Sequence, residues 1–73
     1  MAFQIVELTL DADDNVIERK VVPYRYQTRE ETVDTIESVI SRFAASGYEP
    51  EGNFWWALAG EGKTRVRFII EGV

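Results

Sequence analysis

Residues 54–70 read Phe54-Trp55-Trp56-Ala57-Leu58-Ala59-Gly60-Glu61-Gly62-Lys63-Thr64-Arg65-Val66-Arg67-Phe68-Ile69-Ile70, and two incompatible folds can be read into them. From Ala57 to Thr64 the residues match a permissive phosphate-binding loop, with Ala57 in place of the first glycine. A true loop of that kind leads from a strand into a helix, whose first amides hold the phosphate. Here the residues after Thr64 alternate polar and apolar, which is the period of a strand. The stretch therefore reads as a β-hairpin turning through Gly60-Glu61-Gly62, and nucleotide hydrolysis is not expected.

Upstream of the hairpin the helix signals are explicit. Thr28 stands where an N-cap is needed and Glu31 follows three residues later, the spacing of a capping box. Val33, Ile36, Ile40 and Phe43 recur at intervals of three and four and form one apolar stripe, which Ala44 widens. Gly47 fits the left-handed position that ends a helix. The expected helix covers residues 29–46, with Tyr48–Gly52 as the connection that follows.

The first 26 residues read as another hairpin. Residues 2–10 and 16–26 carry strand-like apolar and β-branched runs, and Asp11-Ala12-Asp13-Asp14-Asn15 between them is rich in turn formers. Pro23 has no N–H for a ladder and belongs at a strand end or sheet edge. The order is β-β-α-β-β, an α+β fold with a four-stranded antiparallel sheet and one helix on one face. A chain of 73 residues is read as one small domain.

Opposed residues in a hairpin share a face, so register decides what is covered. A three-residue loop in the second hairpin sets Trp56 against Val66 and Phe54 against Phe68. Phe54, Trp56, Leu58, Val66, Phe68 and Ile70 then face the helix, and Trp55 lies beside Arg67 on the other side. A two-residue loop exchanges the two tryptophans. In the first hairpin, setting Ala12 against Asn15 pairs Val6 with Val21, Leu8 with Arg19 and Leu10 with Ile17 on the inner face. Glu7 meets Lys20 on the outer face. On this reading Phe3, Ile5, Val22, Tyr24, Trp55 and Ile69 sit on the face that the helix leaves open. An apolar patch of that kind marks an interface, and the expected partner is a second copy, giving a homodimer, or another protein.

Composition bounds the function. The chain has no cysteine and no histidine, which removes thiolate sites, the usual general base and the commonest transition-metal ligand. Asp11-x-Asp13-x-Asn15 matches the start of a calcium loop, but Val16 and Val22 stand where that loop needs glycine and glutamate. No metal, cofactor, catalytic residue or small-molecule substrate is expected, and the protein is read as non-enzymatic. Thirteen acidic against eight basic residues give a net charge of −5, which disfavours nucleic acid. The acidic helix residues Glu30, Glu31, Asp34 and Glu37 offer a second way to dock, on a basic partner surface. No leader or membrane-spanning run is expected, and the location is read as cytoplasmic. The functional expectation is a small protein-interaction module, possessing as its competing reading a single-stranded nucleic-acid binder that uses Trp55, Lys63, Arg65 and Arg67.

Overall fold

A computed structural model describes residues 1–59 and 64–73. The elements in chain order are β1 (Phe3–Leu10), β2 (Val16–Val21), α1 (Arg29–Ile40), β3 (Ala45–Glu49), β4 (Phe54–Ala59) and β5 (Thr64–Gly72). The strands form one five-stranded antiparallel sheet in the order β2-β1-β5-β4-β3. The α+β class holds, but the sheet has five strands rather than four.

The extra strand, β3, replaces the expected end of the helix. The helix starts as its signals say: Thr28 is extended at φ −126° and ψ 155°, and its Oγ1 accepts from the Glu31 N–H at 3.1 Å. It stops at Ile40. Arg42 and Phe43 donate to the carbonyls of Val39 and Ile40, three residues back, so the last turn tightens and the chain leaves without a left-handed residue. Gly47 is then a strand residue opposite Trp56, and Tyr48 lies opposite Trp55. A Cβ at Gly47 would lie 2.8 Å from Cζ2 of Trp56. The glycine is there because the indole lies across it, not because a helix ends.

The helix packs against β1, β4 and β5. Ile36 and Ile40 meet Ile5, Trp55, Ala57, Val66 and Phe68 in one buried cluster, flanked by Val33, Phe43, Val22, Tyr26 and Ile70. Thr32 is also fully buried; its hydroxyl donates to the Thr28 carbonyl at 2.8 Å, so the helix core contains a polar group that is satisfied locally. No helix of the described residues is long and apolar enough to cross a membrane.

Two of the expected facings are reversed. In the second hairpin Trp56 pairs with Arg67, Trp55 with Phe68 and Leu58 with Arg65. This is the alternative register, one residue away from the preferred one; the turn residues 60–63, including Lys63, lie outside the described residues. Val66, Phe68 and Ile70 face the helix as expected, whereas Phe54, Trp56 and Leu58 face away. In the first hairpin the pairs Val6–Val21, Glu7–Lys20 and Leu8–Arg19 form as expected, and a bulge then sets Leu10 against Val16 rather than Ile17. The helix nevertheless covers the Ile5 side of β1, not the Val6–Leu8–Leu10 side. Register alone cannot assign the faces of a strand that is apolar on both.

Candidate interaction surface

The six residues expected on the open face do not gather there. Ile5 and Trp55 are 3% and 4% exposed, within the helix–sheet core. Val22 packs against that core, and Phe3 shares the alternation of Ile5 and pairs with Gly72 and Tyr26. Tyr24 is exposed beyond β2, with its ring 4.6 Å from that of Tyr26. Of the six, Ile69 alone has its side chain on the open sheet face, opposite Val6.

Trp55 is built into the helix side from several directions. Its ring lies 4.7 Å from that of Tyr48, the two tilted at 42°, and the Arg29 guanidinium lies 6.0 Å above it. Arg29 and the Tyr48 hydroxyl both donate to Oδ1 of Asn53, at 3.1 and 2.9 Å. Asn53 has φ 53°, a conformation that asparagine tolerates better than most residues. The start of the helix, the β3–β4 turn and the tryptophan are thus tied together.

The open face is built from other residues. Val6, between Val21 and Ile69, and Leu10, between Val16 and Arg65, are buried without the helix. They form a thin second layer of core on the far side of the sheet. Beside them Leu10, Phe54, Trp56 and Leu58 line a concavity of about 280 Å³, bordered by Arg65 and Arg67. Phe54, Trp56 and Leu58 are half-buried, so their surface remains open to a ligand.

Three arginines frame this face, and each is already engaged. Arg65 meets Asp14 at 2.6 Å, which ties β5 to the β1–β2 turn. Arg19 meets Glu71 at 3.3 Å, and Glu71 also accepts from Gln4 at 3.0 Å. Arg67 lies 4.5 Å over the Phe54 ring, opposite Trp56 on the next strand. These exposed pairs add little stability, but they fix the orientation of the guanidinium groups around the apolar centre. The expected partner of the arginines was Trp55; the structure sets Arg67 opposite Trp56 and Arg65 opposite Leu58 instead.

The aspartates of the first turn serve the turn itself. Oδ1 of Asp11 accepts from the N–H groups of Asp13 and Asn15, both at 2.9 Å. The bond from Asn15 is the main reason its carboxyl lies below the usual aspartate range. Comparison with protein-family models, curated proteins and solved structures finds no match for this chain.

Proposed function

We propose that this chain is a non-enzymatic protein-interaction module that docks through its open sheet face. The observation that carries the reading is the concavity of Leu10, Phe54, Trp56 and Leu58 between Arg65 and Arg67. An apolar centre with aromatic anchors and an arginine-bearing rim is the anatomy of a protein interface. At about 280 Å³ the concavity falls just below the range of roughly 300–1,000 Å³ typical of small-molecule sites. That size suits an apolar side chain presented by a partner. Its lining is hydrocarbon, aromatic ring and guanidinium, which supply neither a nucleophile nor a general base.

The rim says what the partner carries. Arg65 and Arg19 have carboxylates of their own, whereas Arg67 faces an aromatic ring. A partner segment with a large apolar side chain next to a carboxylate would fill the concavity and pair with Arg67. This reading keeps the docking surface on the open sheet face, built from other residues than those expected there, and does not use the acidic helix.

One observation favours single-stranded nucleic acid instead: Arg67 and Phe54 stack beside Trp56, and such platforms hold bases. Against it, two of the three arginines are paired with carboxylates and the chain carries a net charge of −5. The proposal is tested by capturing partners from the native cell with the wild type, Trp56→Ala and Arg67→Glu. A protein captured by the wild type and lost with both variants is the expected result. Equal capture by all three would remove the proposal. Tryptophan quenching by short oligonucleotides that weakens steeply with salt would transfer the face to nucleic acid.

A further inference from the structure

We infer that β2 is a self-pairing edge, and that its partner is β2 of a second copy of this chain. All six of its residues are exposed, Ile17 to 64% and Val21 to 39%, and among the described residues one long side of the strand has no neighbour within the sheet. Its centre, Glu18-Arg19-Lys20, is what an edge uses to repel other strands. In one register it does the opposite.

The hydrogen-bond phase selects that register. Val22 donates to the Ile5 carbonyl, so by alternation the peptide groups of Lys20 and Glu18 turn toward β1 and those of Val21 and Arg19 turn outward, as far as the bulge in which Ile17 is the extra residue. A twofold axis perpendicular to the sheet keeps each face on its own side, so outward groups must meet outward groups. With the axis at Arg19, Ile17 pairs with Val21 of the second copy, and Arg19 pairs with its own equivalent. Glu18 then lies beside Lys20 of the second copy, on both sides of the axis. Each Arg19 at the centre brings its own Glu71, 3.3 Å away. Centring instead on Glu18 sets that glutamate against itself and Ile17 against Arg19; centring on Lys20 sets two lysines together. The other edge, β3, has no such match, since an axis at Gly47 pairs Ser46 with Tyr48 and Ala45 with Glu49.

Sedimentation equilibrium over a range of concentrations tests the pairing. The wild type should dimerise. Glu18→Lys should raise the dimer dissociation constant about tenfold or more, because two attractive cross-strand pairs become repulsive. Lys20→Glu should do likewise, and an equimolar mixture of the two variants should regain the dimer as a heterodimer. Arg19→Pro removes an outward N–H that the monomer leaves in solvent, so it should abolish the dimer while far-UV circular dichroism stays that of the wild type. Trp56→Ala should leave the dimer unchanged, which separates this edge from the sheet face. A wild type monomeric at high micromolar concentration overturns the inference, as does a Glu18→Lys protein that dimerises like the wild type. A mixture no more associated than its components overturns it equally.

Discussion

Gly47 lies against the Trp56 indole so closely that a single methyl group has no room. Gly47→Ala should therefore cost about 1–3 kcal/mol, the usual penalty for overpacking, and a urea melt compares it with the wild type. An unchanged midpoint would mean that the indole does not lie across the strand. Thr28 accepts the Glu31 amide, one of the free donors of the first helical turn, so Thr28→Ala should lose about 1 kcal/mol in the same assay. Asp11 gives a pH dependence whose sign follows from its lowered carboxyl pKa. The stability it adds is complete above the ordinary aspartate value of about 4 and is lost as pH falls through its own, lower value. Asp11→Asn retains an acceptor oxygen for the turn and should lack this part of the acid slope. Thermal melts of both proteins from pH 6 to pH 2 check it. Parallel acid slopes would mean that the turn gains nothing from the charge. At this scale the N-cap was legible because capping chemistry is local: Thr28 and Glu31 interact whatever the tertiary fold. The role of Gly47 was not, because glycine after an apolar helix reads as a terminator until Trp56 is known to cross it.

The two adjacent tryptophans separate what a strand knows from what a sheet knows. Alternation alone puts Trp55 and Trp56 on opposite faces, and that holds. Which one is buried depends on a single residue in the length of the β4–β5 turn, and both choices leave an apolar row toward the helix. The preferred choice gathered more apolar residues on one face, but the protein divides them between both. Strand β1 has the same ambiguity, since Ile5 serves the helix core and Val6 and Leu10 serve the thin layer behind it. The pairings within the first hairpin were legible up to the bulge at Leu10 through the Glu7–Lys20 match; the turn was not, because Asp11 rather than Ala12 meets Asn15 and the bulge absorbs the one-residue difference. The two tryptophans should accordingly differ in energy. Trp55→Ala, like Phe68→Ala, removes a buried ring and should cost roughly 3–5 kcal/mol. Trp56→Ala leaves the helix core intact and should cost clearly less. Chemical denaturation of the three variants checks this. Equal losses at the two tryptophans would mean that both are core residues, and a smaller loss at Trp55 would mean that the register is reversed.

Over the whole molecule, the acidic surface of the helix and the open apolar surface of the sheet lie on opposite sides. The helix presents Glu30, Glu31, Asp34 and Glu37 to solvent, while the open sheet face presents Phe54, Trp56 and Leu58 among three arginines. A net charge of −5 conceals this division, because composition averages over both sides. The reasoning that one helix covers one face, and that the other carries a surplus of apolar residues, was available from the sequence. Most of the residues assigned to that surplus were not, because each facing turned on a register or a face that only the assembled sheet decides. Under the proposed function, partners meet the sheet side. Placing a photoreactive benzophenone side chain at Leu58, and separately at Asp34, measures it directly in the native cell. Cross-linking to a protein from position 58, with none from position 34, is the result expected of a docking face between Arg65 and Arg67. Cross-linking to a protein from position 34 alone, or to nucleic acid from position 58, would contradict it.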